Sequence, residues 1–181
     1  MCIVAWIPRA ENYWVFSNRD DRPAKAHLSN LRKQDNSFIV LLNGGFENHI
    51  PKPPYRASRV EVLDTYFEFK DFNDFQLQFE FQGMEPFTLL VYQDHQLHQL
   101  VWTGKDIETD SLIKEKIQLW ASATLYTSDQ REDFFQQLIQ TIDDHGLEKT
   151  NALEELFQST FKYPGNSFGT LTLSTTHIEL H

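Results

Sequence analysis

The chain has 181 residues, enough to bury a full core as one domain spanning 1–181, and its 40% hydrophobic and 23% charged content is ordinary globular usage. A formal net charge of −10 without a basic patch argues against nucleic acid and anionic membrane surfaces as partners, and no apolar run is long enough to cross a bilayer. The single cysteine, Cys2, excludes an intramolecular disulfide and a thiolate metal cluster. With no secretory pattern in Met1–Pro8, it points to a reducing, cytoplasmic location.

Cys2–Pro8 (CIVAWIP) and Tyr13–Ser17 (YWVFS) are β-prone runs joined by four residues, and together they predict an N-terminal hairpin. Asn18-Arg19-Asp20-Asp21-Arg22-Pro23 reads as a charged loop. Phe38–Leu42 (FIVLL) predicts a buried strand that stops at Asn43-Gly44-Gly45. The spacing of Val62, Leu63, Tyr66 and Phe67 predicts a helix over Ser58–Phe69, and Phe72–Phe79 a second helix capped by Asp71. Phe87–Tyr92 and Leu97–Trp102 read as strands around a polar turn, Gln93–Gln96, and Ile117–Trp120 as a further strand.

Ser128–Asp144 carries the stripe Phe134, Phe135, Leu138, Ile139 and Ile142, and predicts a helix with Ser128 as N-cap and Gly146 just past its end. Asn151 and Glu154 have capping-box spacing and open a helix to about Thr160. Gly169–Leu173 and His177–Leu180 read as a closing hairpin. Strands in consecutive hairpins with intervening helices argue for an α+β layered domain with antiparallel sheets. Neither G-x-G-x-x-G nor G-x-x-x-x-G-K-[ST] occurs.

Cys2 is either a small buried residue opening a strand or a nucleophile. Methionine before a small residue is the usual substrate of methionine aminopeptidase, so Cys2 is expected to become the N-terminus. It would then carry a thiol and a free α-amine, whose ordinary pKa values are about 8.5 and about 7.7–8.0. The neutral amine can accept the thiol proton, the thiolate can attack a carbonyl, and the amine can protonate the leaving group. The charged segment after the second strand is either a solvated loop or part of that site. In the second case an Asp would hold the amine and an Arg would favour thiolate. Asn43-Gly44-Gly45 is either a plain turn or a donor to an oxyanion. Arg56 and Arg59 are either surface charge at a helix start or a face suited to a carboxylate. The pairs His95/His98 and His177/His181 lack metal-ligand spacing, and Asp143-Asp144-His145 reads as surface.

Met1-Cys2, Ser17-Asn18-Arg19-Asp20-Asp21-Arg22-Pro23, Leu41-Leu42-Asn43-Gly44, Pro54-Tyr55-Arg56-x-Ser58-Arg59 and Trp120-Ala121-Ser122-Ala123-Thr124-Leu125-Tyr126 occur in this order. The set resembles the NRDE (transport and Golgi organisation protein 2-like) family. That family resembles N-terminal-nucleophile hydrolases of the choloylglycine hydrolase and penicillin V acylase group. The resemblance runs from Met1 to about Arg131 and returns weakly at Thr170–Thr175. It implies a four-layer αββα sandwich of two stacked antiparallel sheets, and hydrolysis of non-peptide amide bonds without a cofactor. It makes Cys2 the nucleophile, matches Arg19 and Asp20 or Asp21 to the residues flanking thiol and amine, and matches Asn43 to the oxyanion-hole Asn. Asn18, Arg56, Ser122 and Thr124 are then the candidate substrate contacts.

The sequence departs from the family in three places. The tetrad ends in Asp21 where the family has Glu. Ala24–Phe38 holds no Gly-Gly-Thr-Trp motif, which predicts that a strand and part of a pocket wall are absent. Ser122-Ala123-Thr124 offers hydroxyls where the acylase branch has a second Asn. The expected ligand is a small amide or apolar molecule. The alternative is a non-catalytic protein that keeps the fold and binds or carries a haem- or lipid-related ligand.

Overall fold

A computed structural model describes residues 2–21, 30–147, 150–159 and 171–180. It is a mixed α+β structure with two antiparallel sheets and four α-helices. The chain divides into two compact units, one built from its two ends and one from its middle. Among the described residues no helix is long and apolar enough to cross a membrane.

The first unit holds strands β1 (Cys2–Pro8), β2 (Tyr13–Asp21), β8 (Gln118–Ala121) and β9 (Leu171–Leu180) in the sheet order β8-β1-β2-β9. Its helices are α3 (Ser128–His145) and α4 (Thr150–Ser159). β1 and β2 form the expected hairpin, from Cys2 opposite Arg19 to Pro8 opposite Tyr13. Arg9 N–H donates to the Asn12 carbonyl at 2.8 Å to close its turn. The Arg9 guanidinium lies 3.9 Å from the Trp14 ring centroid. Ile3, Ala5 and Ile7 alternate along β1 toward one face of the sheet and share a core with Phe16, Phe134, Leu138, Leu153 and Phe157. Val4 and Trp6 are also buried, so β1 is covered on both faces and reads as a continuous apolar run.

Several expectations for this unit need correction. Asn18–Asp21 is strand, not loop: β9 pairs along it, from Asn18 opposite Thr175 to Asp21 opposite Leu171, with a register shift between Arg19 and Asp20. A neighbouring strand supplies the ladder that the charged sequence does not announce. Arg22 and Pro23 lie outside the described residues. The closing hairpin is instead the single strand β9, and Gly169 and Thr170 lie outside the described residues. The cap of α3 is Thr127, not Ser128: its hydroxyl accepts the Gln130 N–H while the Gln130 side chain accepts the Thr127 N–H. Gly146 (φ 72°) does end the helix. Thr150 is already helical, so Asn151 sits inside α4 rather than capping it.

The second unit holds β3 (Leu31–Gln34), β4 (Ser37–Asn43), β5 (Phe87–Gln93), β6 (Gln96–Trp102) and β7 (Ile107–Leu112), an antiparallel meander in that order. β4 buries five consecutive residues, Phe38–Leu42. The expected absence of a strand before it is overturned, because β3 pairs with β4 through a tight turn in which Asp35 takes φ 51°. The β5–β6 turn uses Asp94 and His95 at φ 52° and 59°, the two-residue geometry that matches strand twist. The expected Ser58–Phe69 helix is shorter: α1 (Val60–Thr65) passes into a 3₁₀ turn, Tyr66–Glu68. α2 (Phe72–Gln78) is capped as expected, with the Asp71 carboxylate accepting the Asp74 N–H at 2.9 Å. Tyr66, Phe72, Phe75, Phe79 and Phe81 pack with Ile39, Leu41, Leu89, Leu100 and Trp102, so much of the chain's phenylalanine is core.

Candidate active site

The sequence-predicted residues fall into two groups, one in each unit. Cys2, Asn18, Arg19, Asp20 and Asp21 belong to the first, and Asn43, Arg56, Ser122 and Thr124 to the second.

In the first group strand pairing does the positioning. Cys2 opens β1 with Arg19 as its cross-strand partner, so the lone cysteine and the start of the charged segment share one register position. The side chains of Cys2, Arg19, Asp20 and Asp21 lie outside the described set. The register shift between Arg19 and Asp20 is the kind of irregularity that re-aims side chains along a strand. Asn18 is fully buried. Its Oδ1 accepts the Ile3 N–H at 2.9 Å, and its Nδ2 donates to the Phe157 carbonyl at 3.4 Å. Phe157 in turn stacks on Phe16, with ring centroids 5.4 Å apart. Asn18 thus ties the residue after Cys2 to α4, and both ends of its amide are engaged by backbone.

In the second group Asn43 ends β4, paired with Phe87, and Gly44 turns the chain at φ 87°. Ser122 is fully buried and donates its hydroxyl to the Asn43 carbonyl at 2.7 Å. Its oxygen lies 3.0 Å from the Thr124 hydroxyl. A serine has one hydroxyl proton, so Thr124 is the donor in that pair. Both hydroxyl protons are therefore taken up inside the cluster. The Ser122 hydroxyl thereby braces the Asn43 backbone, with the Thr124 hydroxyl beside it. The Asn43 side-chain amide has no hydrogen-bond partner among the described residues.

A second brace reaches the same turn, and the sequence did not reveal it. The Pro86 carbonyl accepts both the Gly44 N–H at 3.0 Å and Arg59 Nη1 at 3.1 Å. Arg59 also pairs with Glu85 at 3.0 Å, and the other Glu85 oxygen lies 3.0 Å from His49 Nε2. The Thr88 hydroxyl donates to the Gly44 carbonyl at 3.1 Å. Arg59 thus fixes the turn after Asn43 rather than widening a surface charge pair. Arg56 is committed elsewhere: its guanidinium reaches Glu61 at 3.2 Å, the Glu80 carbonyl at 2.6 Å and the Gln82 carbonyl at 3.3 Å.

Among the described residues no three His, Cys, Asp or Glu side chains are grouped to hold a metal ion. His98 stacks on Phe72, with centroids 4.4 Å apart and planes 8° apart, and its burial pushes the imidazole pKa below the ordinary value. Burial, with Asp71 and Asp94 nearby, keeps the Tyr66 phenol protonated, and its hydroxyl donates to Gln93 at 2.8 Å. No known protein family matches the chain, and no curated protein matches it.

Proposed function

We propose that the chain is an NRDE-type member of the N-terminal-nucleophile hydrolase group, with the four-layer αββα sandwich, and that it hydrolyses non-peptide amide bonds with Cys2 after Met1 is removed. The α-amine of Cys2 takes the thiol proton. The thiolate forms a bond to the amide carbon, and charge develops on its oxygen. By the family resemblance, the donor to that oxygen is the Asn43 amide. Collapse breaks the C–N bond, and the ammonium returns the proton to the departing amine. Water, deprotonated by the same amine, then cleaves the thioester and restores the thiol. Arg19 favours the thiolate, and Asp20 or Asp21 holds the amine.

The observation that carries this reading is the pairing of Cys2 with Arg19 at the end of the first hairpin. Support also comes from the buried Asn18 that anchors the next residue, and from the double brace on the Asn43–Gly44 turn. The test is turnover of a panel of N-acyl amino acids and aryl amides of short and long acyl chain, with Cys2→Ala as control. The reading expects turnover by the unmodified chain and none by the variant. Equal turnover by both removes Cys2 from the role.

A further inference from the structure

β4 ends at Asn43 and α1 begins at Val60, and no strand or helix lies between them. Side chains take over where the ladder stops. Ser122 holds the Asn43 carbonyl, and Thr88 holds the Gly44 carbonyl. The Gly44 N–H and Arg59 Nη1 share the Pro86 carbonyl. These bonds fix the peptide groups that follow Asn43, and none of them uses its side-chain amide.

Arg59 is the charged donor of this set. Glu85 and Pro86 are consecutive, and one guanidinium grips both: Nη2 lies 3.0 Å from the Glu85 carboxylate, and Nη1 lies 3.1 Å from the Pro86 carbonyl. A planar fork fixes the direction of that carbonyl in a way a point cation does not. Glu85 is held in turn, with His49 Nε2 3.0 Å from its other oxygen. A carboxylate only accepts, so Nε2 is the donor. The Arg59, Glu85 and His49 side chains are 17%, 22% and 18% exposed, so water competes little for these bonds.

Resting on the hydrolase reading, in which Asn43 is the oxyanion donor, we propose that Arg59 and Glu85 are positioning residues for the reaction. They act through Pro86 and Gly44 on the backbone that carries Asn43, and neither touches the reacting atoms. A donor that wanders still lets substrate bind, but it stabilises the developing charge less. The effect of these residues therefore falls on kcat and depends on Asn43. A role in stability alone would be indifferent to Asn43.

The test is a double-mutant cycle on the full chain with Arg59→Lys, Asn43→Ala and their combination. The fastest substrate of the amide panel gives kcat and KM, and hydrogen exchange of the Gly44 amide is read against that of Leu90 in β5. Arg59→Lys should lower kcat about tenfold or more and leave KM within about twofold. It should also speed Gly44 exchange relative to Leu90. In the Asn43→Ala background the same change should lower kcat little further. Glu85→Gln, of nearly equal volume, should repeat this pattern, and it decides the matter if Arg59→Lys does not fold. Unchanged Gly44 exchange, or an equal loss of kcat in both backgrounds, would overturn the proposal and leave the hydrolase reading standing. Absence of turnover by the unmodified chain would overturn the hydrolase reading and the proposal with it.

Discussion

Replacing Asn18 by alanine should destabilise the first unit and loosen the strand end that carries Cys2. Asn18 is fully buried, and its Oδ1 is the acceptor for the Ile3 N–H at 2.9 Å. Alanine leaves that N–H buried without a partner, which costs about 1–3 kcal/mol. The second bond, to the Phe157 carbonyl, is long at 3.4 Å and adds little. A loss of ~2 kcal/mol corresponds to a fall in Tm of about 4–8 °C for a chain of this size. Thermal unfolding followed by circular dichroism reads the global effect, and hydrogen exchange at the Ile3 amide reads the local one. Asn18→Asp keeps the acceptor but buries a charge, so it should be the worse of the two. An unchanged Tm together with an unchanged Ile3 exchange rate in Asn18→Ala would refute the claim that this side chain anchors β1.

The hydroxyl cluster makes Ser122→Ala costly by about 1–3 kcal/mol, because the Asn43 carbonyl loses its donor, and urea denaturation measures this. On the proposed chemistry the same variant lowers kcat while KM stays near its original value, and Ser122→Thr restores part of it. Gly44→Ala should destabilise the second unit by about 1–3 kcal/mol, from the positive φ alone. A Cβ there would also meet Thr124 Cγ2 at 3.1 Å, so the Gly44→Ala, Thr124→Ser double variant should recover part of the loss. Burial lowers the His98 pKa, so the folded chain binds fewer protons than the unfolded one. Its stability contribution is therefore full above the ordinary value of 6.5 and is lost as pH falls through the lowered one. Chemical denaturation from about pH 8 to about pH 5.5 should show a decline that His98→Gln flattens.

Which features the sequence discloses follows from how local their causes are. The hairpin Cys2–Pro8/Tyr13–Ser17, the buried strand at Phe38–Leu42 and the Asp71 cap each arise from residues close in the chain, and each is visible there. β7 (IETDSL) is not legible in this way, because it is an exposed edge strand whose partner β6 decides its conformation. The charge of Asn18–Asp21 suggests a loop, while the distant β9 makes it a strand. A missing family motif argues against β3, yet the Asp35-Asn36 turn and the β4 ladder suffice to build it. In the candidate site the family resemblance picks out Asn43, Ser122 and Thr124, which do come together. It cannot show that the Ser122 hydroxyl proton points back at the Asn43 carbonyl. The Arg59–Glu85–His49 brace joins segments far apart in sequence and leaves no periodic trace.

The central claim is that Cys2 acts as an N-terminal nucleophile, and intact-mass spectrometry of the purified protein before and after exposure to an acyl-transfer substrate tests it most directly. The account predicts a chain lacking one methionine residue and beginning at Cys2. It also predicts a transient gain of the acyl mass that maps to that residue and is absent in Cys2→Ala. A chain that keeps Met1 has no α-amine beside the thiol, and that result, or acylation elsewhere, would contradict the account.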